Sequence, residues 1–442
     1  MGIWYKKRGA GNLDNRLRAR EAKPLSATPP IIDSNLTHMG HRTQVSRRRI
    51  SACARVLVLA LTIASAVPAA AQGAAGAASD EKGSPSPEDK REGRARFFDP
   101  EDGQLDLSYF LENAHGFLPI PIIVTEPAVG YGGGGAAMFL RPRREAGEEG
   151  WARPDISAAG AFATRNGTWG AFGGDVSRWL DGRLRTLAGA GTGVINLDFY
   201  GLGLDRASFE EKVRYTLQFT GAIAQANWQL APKSPWAVGM RYVFADVDPK
   251  LRDPPAFPGL ADRARVKVSA PTAVLEYDSR DNIFTPTRGL YAESSFLASR
   301  ESLGASVDFE RFQQVLIGWY PLRHDVTLGG RTDYGWASDS TPFFLRPFIL
   351  LRGVPAVRYQ GDRMASAEVE LRWQFYGRWS ALAFGGAGTT RTRGVAQNVG
   401  SGGVGLRYEL ANKFGLHVGL DVAHSPGTTG VYLQVGNAWF RP

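Results

Sequence analysis

Phe414-Gly-Leu416-His-Val418-Gly-Leu420-Asp-Val422 carries a large apolar side chain at every second position, with His417, Gly419 and Asp421 between them. A period of two sends successive side chains to opposite faces of a β-strand. The same alternation runs through Ala367-Glu-Val369-Glu-Leu371-Arg-Trp373-Gln-Phe375 and Val404-Gly-Leu406-Arg-Tyr408-Glu-Leu410. In each, the second face is small or charged. The chain ends on aromatics, Trp439 and Phe440, in what reads as a closing strand. A soluble sandwich hides its apolar face in a packed core. An apolar face backed by charged groups, with aromatics near strand ends, is the pattern of a strand that meets lipid outside and a wet lumen inside. The expected fold is all-β, a transmembrane antiparallel β-barrel. On this reading Phe414, Leu416, Val418, Leu420 and Val422 face lipid, and His417 and Asp421 face the lumen.

Composition agrees. No apolar run reaches the ~18–20 residues that a membrane helix needs, and mean hydropathy is slightly negative, as expected where half of each strand is polar. The net charge of +9 is confined to one segment: residues 1–71 hold 12 Lys and Arg against 3 Asp and Glu, and the remainder is neutral. That placement removes the argument for a nucleic-acid partner that a basic chain would otherwise make. Arg47-Arg48-Arg49, the apolar stretch from Val56 to Val67 and Ala69-Ala70-Ala71 before Gln72 form the three parts of a cleaved export signal. Met39 is an alternative start within this leader. Cys53, the single cysteine, lies inside it, so the mature chain is expected to lack thiols, which suits passage through an oxidising compartment.

Three regions follow: the leader 1–71, a linker and lead-in 72–116, and a barrel 117–442. Residues 72–96 are rich in Ala, Gly, Ser, Pro, Glu and Lys and read as disordered. Residues 105–117 are mildly apolar and read as a short periplasmic helix or lead-in. Sixteen candidate strands come next, the last four near 400–410, 413–424 and 428–440 after 378–391. Connections alternate between short turns, such as Asp181-Gly182 and Ala411-Asn412, and long loops, such as 198–211, 248–264 and 338–363. Barrels of this kind have short periplasmic turns and longer outer loops. Residues 279–287 are unusually long for a periplasmic turn.

Tyr277-Asp278-Ser-Arg280-Asp281-Asn-Ile-Phe-Thr-Pro286-Thr-Arg-Gly289-Leu-Tyr291 resembles the turn of the bacterial surface antigen barrels, the group that includes BamA/TamA-type outer-membrane insertases and two-partner secretion transporters. Leu118-Pro-Ile-Pro121, Thr125-Glu-Pro127, Gly130 and Gly132 are similar to the opening of short members. The resemblance covers roughly 117–440. It implies a long outer loop folded into the lumen with an Arg-Gly-aromatic motif at its tip. Leu351-Arg352-Gly353-Val354, within 338–363, occupies that place, five strands from the end. The resemblance implies that Arg352 is held by acids on the next two strands. Glu370 matches the first; Gly386 stands where the second would be, and Val354 replaces the aromatic. The implied latch therefore has one carboxylate. Independently, a guanidinium suits a carboxylate bidentately and such a pair would pin a loop in a partly desolvated lumen.

Enzyme constellations are weak. The six histidines are scattered, with no metal-ligand spacing and no nucleophile elbow. Gly130-Tyr-Gly132-Gly-Gly-Gly135 comes near a dinucleotide fingerprint, but the period there is two and no helix follows. Asp278 with Arg280 and Asp281 reads as a charged, solvated turn rather than a catalytic acid pair. No cofactor, metal or catalytic residue is expected. Expected partners are outer-membrane lipid and client outer-membrane or secreted proteins, with the chain a monomer. A weak first-to-last strand seam would act in insertion or translocation; a passive pore or structural barrel is the alternative, and a lipid-modifying enzyme a third reading.

Overall fold

The computed structural model describes residues 93–112, 116–141, 155–200, 212–251 and 265–439. The leader, the start of the linker and Phe440 lie outside the described residues. Sixteen strands form one antiparallel sheet in chain order. They are β1 (Gly116–Val124), β2 (Gly132–Arg141), β3 (Asp155–Thr164), β4 (Trp169–Trp179), β5 (Leu184–Tyr200), β6 (Lys212–Gln229), β7 (Trp236–Leu251), β8 (Val266–Asp278), β9 (Gly289–Ser299), β10 (Phe309–Arg323), β11 (Val326–Ala337), β12 (Arg363–Tyr376), β13 (Trp379–Thr392), β14 (Val395–Ala411), β15 (Leu416–Ser425) and β16 (Thr428–Val435). Every neighbouring pair is laddered from β1 through β16, and the sheet curls into a nearly closed barrel. Between β1 and β16 no ladder forms among the described residues.

The faces are inverted relative to a soluble protein. On β12, Val369 is 53% exposed and faces outward, whereas its neighbours Glu368 and Glu370 are buried inside. Leu420 and Val422 are likewise exposed, and Asp421 is fully buried. Exposed aromatics gather where the sheet meets its short turns, Trp179, Trp236, Tyr320, Trp373 and Tyr376 among them. Such an outward face suits hydrocarbon bounded by an aromatic belt.

Two strand boundaries lie five residues from the sequence expectation. β14 begins at Val395, not 400, because Arg393 and Gly394 both take positive φ and close a two-residue hairpin turn. β16 ends at Val435, not 440: Gly436 has φ +77° and leaves the sheet. Phe414 also departs from its expected lipid contact. It sits in the 3-10 turn Asn412–Phe414 and is buried beneath Ile283 and Phe284.

The lumen is not wet throughout. At the loop end, inward residues of β5–β8, including Ile195, Leu217, Val247 and Val268, are apolar. Phe344 and Leu345, from the 3-10 turn Phe343–Leu345 of the loop after β11, complete that cluster. The expectation of a polar interior fails there because the folded-in loop brings its own apolar side chains, which need apolar partners.

At the turn end, residues 93–112 lie against the barrel. Arg378, in the β12–β13 turn, is gripped by three carboxylates of that segment: Asp99 and Asp106 at 2.5 Å and Asp102 at 2.6 Å. Leu107 N donates to Leu410 O, and Tyr408 Oη donates to Leu105 O, both at 2.8 Å. Hydrogen bonding from Arg378 holds the Asp102 carboxyl below its ordinary range. Burial would raise Asp106, but hydrogen bonds from Ser108 and Arg378 outweigh it and the net direction is also downward.

Candidate functional site

The loop of residues 338–362 enters the barrel and is pinned at its tip by Arg352. The guanidinium donates from Nε and Nη2 to Glu368 Oε1, at 2.9 and 2.6 Å. Its Nη1 reaches Asp421 Oδ2 at 3.0 Å and lies 2.7 Å from Glu370 Oε2, the last an ion pair without hydrogen-bond alignment. The Arg352 backbone N–H adds a bond to Glu368 Oε2 at 3.2 Å. The Phe384 ring lies 3.5 Å beneath the guanidinium, a cation–π contact.

These carboxylates belong to a larger charge cluster. Asp421 also receives Arg407 bidentately at 2.7 and 2.9 Å. Arg331 pairs with Asp333 at 2.7 and 2.8 Å on β11. Arg372, two residues beyond Glu370 on the same strand face, brings a fourth cation near Glu370 and Glu409. Mutual pairing is what lets a buried cluster of this size exist, since an unpaired buried ion costs several kcal/mol.

The implied single-carboxylate latch is therefore corrected: three acids surround Arg352. Two come from β12, at 368 and 370, and one from β15. Gly386 has a separate reason to be glycine. A Cβ there would meet Ala367 O at 2.7 Å and Leu351 Cδ2 at 2.9 Å, and at Gly388 it would meet Ile349. The loop tip lies over those two glycines, so the strand cannot carry an acid there, and β15 supplies it. Gly353 is fixed by the same closeness. It has φ +89°, and a Cβ would meet the His424 backbone at 3.1 Å. Val354 is buried with Ile349, Leu351, Met364 and Val399.

Trp439 is not on a lipid-facing strand. After Gly436 the chain turns inward, and Asn437 donates to Phe284 O through its backbone at 2.6 Å and its amide at 2.7 Å. Trp439 then lies inside the barrel. Its Nε1 donates to Glu368 Oε1 at 2.8 Å, and its ring lies 6.2 Å from Trp319.

The turn motif is solvated only in part: Thr287 and Arg288 are exposed, and residues 283–286 are buried. Arg280 has no side-chain exposure; it pairs with Asp278 at 2.8 and 2.7 Å and lies 4.6 Å from the Tyr291 ring centre. Asp281 Oδ1 accepts from Thr287 N at 3.0 Å and closes the lower bend. Asn282 Nδ2 reaches across to Phe414 O at 2.8 Å, and Pro286 O accepts from Arg372 at 3.1 Å. Gly289, at φ +103°, would place a Cβ 2.3 Å from Ser279 O. The motif thus folds under the barrel and ties β8–β9 to the β14–β15 turn and to the C-terminal residues. Among the described residues no group of acids, histidines and cysteines is arranged for a metal.

No family model matches the chain, and no curated protein does. Among solved structures, BamA from Haemophilus ducreyi lacking POTRA domains 1–3 superposes with a TM-score of 0.51 at 12% identity, over 73% of this chain and 70% of that one. The chain has a BamA-like barrel fold. CdiB from Escherichia coli superposes with a TM-score of 0.52 at 12% identity, over 72% of this chain, which spans 61% of CdiB. The likeness is one of barrel fold; the acids around Arg352 belong to this chain.

Proposed function

We propose that this chain is an outer-membrane barrel that assists insertion or translocation of proteins through its β1–β16 seam, with the loop of residues 338–362 controlling the barrel from within. The observation that carries the reading is the unladdered seam. Among the described residues one edge of β1 and one edge of β16 lie outside any ladder, and free strand edges recruit a further strand by main-chain hydrogen bonds. The clients are other outer-membrane or secreted proteins, and the bilayer is the second partner. Turns lie on the periplasmic side and long loops outside, so the segment held by Arg378 lies at the periplasmic rim. Arg352, Gly353 and Glu370 act as the loop latch in this reading, joined by Glu368 and Asp421; Asp278, Arg280, Asp281, Pro286 and Gly289 hold the periplasmic floor.

A passive pore is the weaker alternative. It requires an open lumen, whereas Phe344 and Leu345 sit in an apolar cluster within the barrel. Depletion of the chain followed by quantitative outer-membrane proteomics tests the proposal. Loss of a set of other barrels or secreted proteins supports it. An unchanged proteome together with solute conductance in planar bilayers would transfer the reading to the pore.

A further inference from the structure

The loop tip touches both sides of the seam. On the β16 side, Gly353 N donates to Tyr432 Oη at 3.0 Å, and Ser425 Oγ donates to Gly353 O at 2.7 Å. Arg358 Nη1 reaches Thr428 Oγ1 at 3.1 Å at the start of β16. On the β1 side, Ala356 N donates at 3.0 Å to Oε1 of Glu126, two residues beyond the end of β1. That oxygen also accepts from Ala128 N at 3.1 Å, which fixes the carboxyl within its own turn. Glu126 is 4% exposed, and burial raises its pKa while the two N–H donors oppose the shift.

The backbone that presents Ala356 N is strained. Arg358 N donates to Pro355 O at 3.2 Å, closing a turn whose third residue, Val357, has φ +59°. A β-branched residue adopts that conformation only where its surroundings enforce it. Val357 is buried in the apolar cluster with Val124, Val129 and Phe344. Packing therefore holds the turn in a shape that aims one N–H at Glu126.

The geometry points to residues 353–358 as a staple across the open seam, with Glu126 as the catch on the β1 side and Tyr432 as the catch on the β16 side, so that the loop sets how far the two unladdered strands stand apart. This staple is distinct from the contacts of Arg352, whose three acids, Glu368, Glu370 and Asp421, sit on β12 and β15. It is also independent of any client, because it concerns the distance between two strands of one chain.

Nitroxide labels on Ile123→Cys and Val431→Cys, both on the outward face, report that distance in the full chain with Cys53→Ser, reconstituted in lipid nanodiscs. The parent should give one narrow distance peak. Glu126→Ala removes the catch, and Ala356→Pro removes only its donor, at a turn position where proline is tolerated. Both should move the peak to longer distance and broaden it, as should Tyr432→Phe. Glu126→Gln keeps the accepting oxygen and should restore the narrow peak. Should one variant fail to fold, as judged by heat-modifiable gel mobility, the other two carry the test. Unchanged distances in the folded variants would overturn the staple, and so would a Glu126→Gln protein as loose as Glu126→Ala.

Discussion

Arg352 and Asp421 stand 69 residues apart in sequence and 3.0 Å apart in the folded chain. The contact joins the loop after β11 to β15, and the same aspartate holds Arg407 of β14. A loop tip, two strands of the closing sector and, through Glu368, the inward-turned Trp439 thus share one charge cluster.

Replacing Arg352 with alanine leaves Glu368, Glu370 and Asp421 facing one another without their shared cation. Removing one partner of a buried ion cluster costs about 3–5 kcal/mol. The Arg352→Ala protein should therefore show a lowered thermal midpoint in the gel-shift assay and cleavage within residues 338–362 by added protease. Arg352→Lys should fall between, since an ammonium cannot make the paired Nε and Nη2 contacts to Glu368.

Gly386→Asp would install an acid at the place where the sequence resemblance implies one. Steric closeness to Ala367 O and Leu351 argues that it weakens the loop's seat. The expected result is greater protease sensitivity of the loop than in the parent. Added protection would mean that the loop has room to move away from β13.

On β15, cysteines at Leu420 and Val422 should react with a lipid-soluble maleimide, and a cysteine at Asp421 with neither a lipid-soluble nor a water-soluble one. A cysteine at Phe414 should be as unreactive as one at 421. Leu420→Arg should cost roughly 2–4 kcal/mol if the residue lies near mid-bilayer. Equal labelling of 420 and 421 by both reagents would contradict the barrel orientation.

The grip on Arg378 depends on ionised carboxylates. Asp102 and Asp106 are held below their free values, so the stabilisation is fully present above the free carboxylate value, ~3.9, and is lost as pH falls through the docked values beneath it. A nitroxide at Glu101→Cys should stay immobile at neutral and mildly acid pH and loosen only below ~3.9. Release between about pH 5 and 7 would show that another group governs docking.

Much of this barrel was legible from period-two alternation. β13, Trp379–Thr392, lies where the sequence places it, and the alternation of β12 assigns Glu368 and Glu370 to the same inner face. Alternation could not choose between those two acids, because the choice depends on where a distant loop tip comes down. Asp421 was placed in the lumen correctly, yet its partner was invisible: contact with residue 352 arises only after the sheet curls. Gly436 resembles every other strand glycine in sequence, so the inward turn that buries Trp439 left no local mark. In the turn motif, charge at 278, 280 and 281 suggested solvent, while the apolar pair Ile283-Phe284 was the available signal that it folds under the barrel. Glu126 sat in plain view between Thr125 and Pro127, but its partner is a backbone N–H, which no side-chain pattern announces.

If the chain acts on other proteins through the β1–β16 seam, the seam must part. A flexible bis-maleimide tether between Ile123→Cys and Val431→Cys, formed on cells making the Cys53→Ser protein as their sole copy, tests it directly. Tethered cells should lose other barrels or secreted proteins from the outer membrane, with either single-cysteine control unaffected. A fully tethered seam with an unchanged outer-membrane proteome would contradict it.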